Sequence, residues 1–265
     1  MKSKVALAAV ALAVMSTLGV PALATTTPTV DVFGDSMQTQ AYKYIWFDIQ
    51  QMTTPPKLVS HMWPGTAICD WLSRMQTDAT TLHPVAVLLT FVGNNSTPCI
   101  SAAQATSPAA VAAQYGADLT TAINYFMNNG TKYVFVDTGP TEPASIETYA
   151  GLVRTAQEKA VAALKNPDVK WVNSGASVNQ PSTGAFSLLR PCVAYEVAHQ
   201  LCSGPVINHV ANNYVRITDG HFCTWPTPRG IFCPGGWRFA NAEATALMNA
   251  FKWKPLPPTG LLGVQ

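Results

Sequence analysis

Two short segments, far apart in the chain, contain residues suited to nucleophilic chemistry. Ser36 ends a Gly-Asp-Ser triplet, and His221 follows Asp219 in an Asp-Gly-His triplet. A histidine can take the proton of a serine hydroxyl, and an aspartate commonly orients that histidine. The other four histidines have no close aspartate in a Gly-containing loop before a helix: His61, His83, His199 and His209. The alternative is that Ser36 only caps a helix and His221 only bonds loop backbone.

Two further positions could stabilise a developing negative charge. Asn95 closes a Gly-Asn-Asn triplet, and its side-chain amide is a neutral donor that does not titrate. Gly65 has no Cβ, so its backbone N–H can approach a ligand closely. Taken singly, each residue is an ordinary turn residue.

Apolar runs that end at turn residues predict the strands that position these groups. Strands are predicted at 29–33, 57–62, 85–92, 133–136 and 169–172, and helices at 109–127, 146–164 and 236–251, with another helix opening at Ser36. Continuous apolar strands that alternate with helices favour a parallel, doubly wound sheet. We therefore predict a single-domain α/β fold, a three-layer α/β/α sandwich with a five-stranded, mostly parallel sheet. Sites in such sheets form beyond the C-terminal ends of the strands.

The order of these motifs resembles the SGNH hydrolase superfamily, the GDSL esterases and lipases. Its blocks are Gly-Asp-Ser, a glycine after the second strand, Gly-x-Asn after the third, and Asp-x-x-His before the last helix. The resemblance implies that Ser36 is the nucleophile and His221 the base, and that Ser36 N–H, Gly65 N–H and the Asn95 amide form the oxyanion hole. It also implies a structural role for Asp35 in the loop backbone.

One spacing departs from the family pattern. Asp219 and His221 are separated by Gly220 alone, one residue fewer than in Asp-x-x-His. Either a tighter turn at Gly220 lets Asp219 reach the imidazole, or a backbone carbonyl orients the ring instead.

Six cysteines allow 15 pairings. Cys192–Cys202 and Cys223–Cys233 are the local pairs that the spacing favours, which leaves Cys69–Cys99. No C-x-x-C occurs, so a zinc ribbon or a thioredoxin-type redox site is not expected. The Cys223–Cys233 pair would clamp the loop of His221 to the start of the last helix.

The first 24 residues have the layout of a signal peptide. Two lysines precede an apolar run from Val5 to Met15, and Ala22-Leu23-Ala24 provides small residues before a cut at Thr25. An uncleaved N-terminal anchor is the alternative. We expect a secreted or cell-envelope protein, and its disulfides agree with that compartment. Residues 174–214 are predicted to be an insertion near the site, and residues 254–265 a Pro-rich tail.

The net charge of the chain argues against nucleic acid and anionic membranes as partners. Lys and Arg number 16 and Asp and Glu 14, and removal of the signal peptide equalises them. A neutral chain without basic runs is a poor ligand for nucleic acid or for an anionic membrane. We expect a monomer that needs no cofactor or metal. Five aromatic residues near the loops could line an acyl or sugar pocket or simply pack there: Trp63, Trp225, Trp237, Phe222 and Phe232.

The sequence therefore predicts a secreted serine esterase that acts on an acyl lipid or an acylated glycan through a Ser-His-Asp acyl-enzyme mechanism. An extracellular acyltransferase on the same scaffold is one alternative. A non-catalytic surface binding module is another.

Overall fold

Five parallel strands form the central sheet in the order β2-β1-β3-β4-β5. The computed structural model describes residues 27–224 and 232–253. The strands are β1 (Thr29–Gly34), β2 (Lys57–Met62), β3 (Ala86–Thr90), β4 (Tyr133–Asp137) and β5 (Val169–Val172). The three central strands are almost wholly buried, which explains why their sequences are continuous apolar runs rather than alternating ones. The predicted α/β fold with a five-stranded parallel sheet is confirmed.

Helices cover both faces of this sheet, and each face has its own apolar core. Helices α1 and α7 pack on one face, and α2, α4 and α5 pack on the other. The helices are α1 (Ser36–Gln50), α2 (Ile68–Thr81), α3 (Ala102–Ala105), α4 (Pro108–Asn128), α5 (Ala144–Leu164), α6 (Ala194–Ala198) and α7 (Pro234–Phe251). This arrangement leaves the C-terminal edge of the sheet open to the connecting loops.

The segment 174–214 has regular structure of its own. A 3₁₀ turn (Ser174–Ser177) precedes a small antiparallel sheet in the order β6-β8-β7. Its strands are β6 (Leu189–Pro191), β7 (Val206–Ile207) and β8 (Val210–Tyr214). A buried ion pair between Glu196 on α6 and Arg238 on α7 joins this segment to the main domain.

The cysteines form three disulfides, and they are the pairs that the spacing favoured: Cys69–Cys99, Cys192–Cys202 and Cys223–Cys233. Among the described residues, no helix has both the length and the apolarity that a membrane crossing requires. The predicted signal peptide and the predicted tail at 254–265 lie outside the described residues.

Candidate active site

Ser36 is the first residue of α1, directly beyond the C-terminal end of β1. Its position comes from Asp35, the N-cap, whose Oδ1 accepts a hydrogen bond from Met37 N at 3.0 Å. The other carboxylate oxygen of Asp35 accepts from Val92 N at 2.8 Å, in the loop after β3. Burial raises the pKa of Asp35 to about 6, against the opposing effect of these N–H groups. Asp35 therefore ties two loops together, as the resemblance implied.

His221 lies against Ser36 although 185 positions separate them. Its Nε2 is 2.9 Å from Ser36 Oγ, and its Nδ1 is 3.2 Å from Asp219 Oδ1. The same carboxylate oxygen accepts from the backbone N–H of His221 at 3.0 Å. Gly220 has φ +95°, a conformation that side-chain-bearing residues rarely adopt. That tight turn compensates for the residue missing from the family spacing.

A buried ion pair stabilises the turn at Gly220. Arg216 Nη2 donates to both carboxylate oxygens of Glu142 at 2.9 Å, and its Nε donates to the carbonyl of Gly220. A Cβ on Gly220 would lie 2.1 Å from Glu142 Oε2, so only glycine fits there. Burial raises the pKa of Glu142 to about 7, although Arg216 opposes that shift. Sequence reasoning did not find this pair, because its members are 74 positions apart.

Gln40 holds the chain just after His221. This buried side chain on α1 accepts from Phe222 N at 2.9 Å and from Cys223 N at 3.2 Å, and it donates to Cys223 O at 2.9 Å. The Cys223–Cys233 disulfide adds a covalent link, since Cys233 immediately precedes α7. The loop of His221 is therefore fixed on two sides.

The structure brings Asn94, rather than Asn95, to the serine. Asn94 lines the cavity beside Ser36, and its Nδ2 donates to Thr66 O at 3.0 Å and to Asp35 Oδ2 at 3.3 Å. The amide of Asn95 instead approaches Ala105 O at 3.5 Å. The two adjacent asparagine side chains therefore have different partners in the loop after β3.

Gly65 lies in the loop after β2 with φ +80°, and open space surrounds the position that a Cβ would occupy. It is not among the residues that line the cavity. The bond from Asn94 to the adjacent residue, Thr66, nevertheless holds the loop after β2 against the loop after β3.

An open cavity of about 220 Å³ lies over Ser36 and His221. Its wall combines the catalytic candidates with apolar and acidic side chains: Met37, Val92, Gly93, Asn94, Glu142, Ile146, Tyr149, Asp219 and Gly220. The hydroxyl of Tyr149 is buried and has no hydrogen-bond partner among the described residues.

Four of the five aromatic residues named from the sequence do not line this cavity. Phe222 is buried in the core under α1 and α7. Trp237 stacks on Tyr195 and also contacts Phe232, and Trp63 is exposed. Trp225 lies outside the described residues. Tyr149, on α5, is the aromatic residue that lines the cavity.

Solved structures share this architecture. A catalytic mutant of an acetylxylan esterase from Geobacillus stearothermophilus matches with a TM-score of 0.55 at 11% identity, over 87% of this chain and 96% of that chain. A putative acylhydrolase from Bacteroides fragilis matches with 0.52 at 12% identity, over 84% and 90%. A GDSL-like lipase from Bacteroides thetaiotaomicron matches with 0.51 at 10% identity, over 84% and 88%. The chain has the SGNH hydrolase fold. No protein-family model and no curated protein matches its sequence.

Proposed function

We propose that the protein is a secreted serine esterase that hydrolyses short-chain carboxylic esters. The observation that carries this proposal is the bond between Ser36 Oγ and His221 Nε2, at 2.9 Å, with Asp219 on the far side of the ring. A nucleophile, a base and an orienting acid in one hydrogen-bonded chain are what acyl transfer requires. The SGNH fold supports the same chemistry.

The mechanism follows from these positions. Ser36 Oγ attacks the ester carbonyl while its proton passes to His221 Nε2, and the imidazolium then returns that proton to the leaving alcohol. Water, deprotonated by His221, hydrolyses the resulting serine ester. Asp219 stabilises the imidazolium that forms in both half-reactions.

Two donors at the cavity serve the carbonyl oxygen in this proposal, the N–H of Ser36 and the side chain of Asn94; the N–H of Gly65, which the resemblance implies as a third, stays a prediction because Gly65 does not line the cavity. Ser36 N lies at a helix N-terminus, where backbone N–H groups have no intrahelical partner. Asn94 takes the place of Asn95 in this proposal, because Asn94 lines the cavity and Asn95 does not. The longer of its two bonds, to Asp35 at 3.3 Å, is the one that an oxyanion would displace.

The size of the cavity favours a short acyl group. About 220 Å³ is below the roughly 300–1,000 Å³ typical of pockets for drug-sized ligands. The fold's likeness to an acetylxylan esterase agrees with an acetylated substrate.

Secretion is supported by the signal-peptide layout and by the three disulfides, since disulfides persist in oxidising compartments. Recovery of a shortened chain starting at Thr25 outside the cytoplasm would test it. Retention of residues 1–24 on the exported chain would favour the anchor instead.

The deciding experiment is hydrolysis of a p-nitrophenyl ester series, from acetate to palmitate, by the purified protein. We expect fast turnover of acetate and a steep fall with chain length. Ser36→Ala should abolish turnover, and Ser73→Ala, which alters an exposed serine on α2, should not. Equal turnover by the Ser36→Ala variant, or failure of a serine-reactive phosphonate to label Ser36, would contradict the proposal.

A further inference from the structure

A second histidine and two aspartates meet on the opposite face of the sheet from α1 and α7. Asp31 belongs to β1, His61 to β2 and Asp78 to α2. One ligand atom from each residue lies within 4.8 Å of the other two. His61 Nε2 is 2.8 Å from Asp78 Oδ2 and 3.5 Å from Asp31 Oδ1. The esterase chemistry uses none of the three.

The charges in this cluster are unbalanced. Asp31 and Asp78 are both almost fully buried, at 0% and 1% exposure. Both carboxylate oxygens of Asp31 lack a hydrogen-bond partner among the described residues. The half-exposed guanidinium of Arg74 bonds Asp78 Oδ2 at 2.8 Å. A buried, unpartnered carboxylate is costly unless a cation neutralises it.

The chemistry of the three side chains also suits a divalent cation. A neutral imidazole beside two carboxylates is a donor set that binds divalent ions.

The geometry points the same way. Although His61 Nε2 is close to Asp78, it lacks the alignment of a hydrogen bond. Ligands of one metal ion lie close together but point at the ion rather than at each other. At metal–ligand distances of about 2.0–2.2 Å, tetrahedral ligand atoms are separated by roughly 3–3.5 Å. The two distances from His61 Nε2, 2.8 and 3.5 Å, bracket that separation, and all three ligand atoms lie within 4.8 Å of one another.

We propose that Asp31, His61 and Asp78 bind one divalent transition-metal ion, with Zn²⁺ as the best match. Two carboxylates neutralise its charge, and the imidazole favours zinc over Mg²⁺ or Ca²⁺, which prefer oxygen ligands. The ion would join the edge strand β2 and helix α2 to β1. Its role is structural, because the three ligands come from the framework rather than from the loops at Ser36.

The surroundings of His61 suit a metal ligand. Phe33 stacks on the imidazole at 4.8 Å between ring centroids, and Trp71 packs against it at 6.0 Å. Such contacts fix the orientation of the ring. Arg74 is half-exposed, so its guanidinium can swing into solvent when a metal ion takes its place at Asp78.

The test is calorimetric titration of EDTA-dialysed protein with Zn²⁺. We expect one saturable site per chain. Asp31→Asn should weaken binding by more than about 10–100-fold, the loss typical even of residues that only support a ligand. Arg74→Gln should tighten binding about two- to fivefold, since it removes a half-exposed competing cation. Zinc at one hundred times its Kd should raise Tm by about 5–10 °C.

Two controls separate this site from surface binding. A double variant, His199→Gln with His209→Gln, removes exposed imidazoles and should bind zinc as the unaltered protein does. Hydrolysis of p-nitrophenyl acetate and circular dichroism show whether Asp31→Asn still folds. Asp78→Asn serves as a second ligand variant if it does not.

Several outcomes would overturn the proposal. These are the absence of saturable binding, equal affinity in folded Asp31→Asn protein, or loss of binding in the His199/His209 double variant. Anomalous diffraction at the zinc edge that places the ion elsewhere would do the same. None of these results bears on the esterase, because Ser36 and His221 are outside the cluster.

Discussion

His221 and His61 each face an aspartate, but in opposite surroundings. The side chain of His221 is 30% exposed and that of Asp219 is 62% exposed, and Ser36 Oγ lies on the other side of the ring. The side chain of His61 is 14% exposed, and its two aspartate neighbours are shut away from solvent. The first pair opens into a cavity, whereas the second is closed in by a strand, a helix and aromatic rings.

The difference shows how burial decides what a histidine–aspartate pair can do. In the proposed mechanism, the imidazole of His221 takes a proton from the Ser36 hydroxyl and gives it to the leaving alcohol, so it needs access to the substrate. Between β1, β2 and α2, two carboxylates are shielded from solvent, and their negative charge is incompletely neutralised. The proposed metal ion supplies the missing positive charge. The same residue types thus support acid–base chemistry in one place and favour a bound cation in the other.

The largest effect should come from Ser36→Ala. Loss of the nucleophile should lower kcat for p-nitrophenyl acetate by roughly 10⁴-fold or more. Zinc affinity should stay the same in that variant. A simultaneous loss of zinc binding would mean that the two histidine sites are coupled.

Asn94→Ala and Asn95→Ala form a matched pair. Removal of one oxyanion donor typically lowers the rate by about 10²–10³-fold. Asn94→Ala should therefore lower kcat by that factor. Asn95→Ala should retain near-normal kcat, because its amide points to Ala105. The reverse result would restore Asn95 to the oxyanion hole and contradict the placement described above.

Asp219→Asn should have a smaller effect on kcat. A buried triad acid is worth about 10⁴, but Asp219 is well exposed, so a loss of roughly 10–10²-fold is expected. KM should change little. A loss of kcat as large as that of Ser36→Ala would contradict the smaller contribution that the exposure of Asp219 predicts.

Gln40→Met tests the support of the loop after His221. Three hydrogen bonds to Phe222 and Cys223 would be lost, and buried backbone groups left unpaired cost about 1–3 kcal/mol each. We expect a lower Tm and a lower kcat with KM unchanged. Gln76→Met, at an exposed position on α2, is the control and should change neither.

Metal removal should have the smallest effect on activity. Zinc-loaded and EDTA-treated protein should hydrolyse p-nitrophenyl acetate with the same kcat/KM at 25 °C, while their Tm values differ. If EDTA abolished ester hydrolysis by protein that remains folded, the two histidine sites would not have separate roles.

The sheet could be predicted because its strands are buried on both faces and therefore read as apolar runs. Helix α2 was not predicted. Its buried residues are only Ile68, Met75, Asp78 and Ala79, so the apolar stripe is sparse. The strands of the small sheet have two to five residues, which is too short for a periodic pattern.

The candidate site was predictable where chemistry lies in short motifs, as at Ser36 and His221. The motif predicted Asn95, whereas Asn94 lines the cavity, because the direction of each side chain depends on the path of the loop after β3. The Glu142–Arg216 pair had no local signal.

The Cys223–Cys233 bridge has a consequence for when the protein gains activity. In a reducing cytosol the two thiols are not linked, and the loop of His221 then lacks its covalent link to the start of α7, although Arg216 and Gln40 still bond to it. We expect the newly made chain to be latent there. Oxidation after export would complete the support of the histidine, so the producing cell would be spared hydrolysis of its own esters.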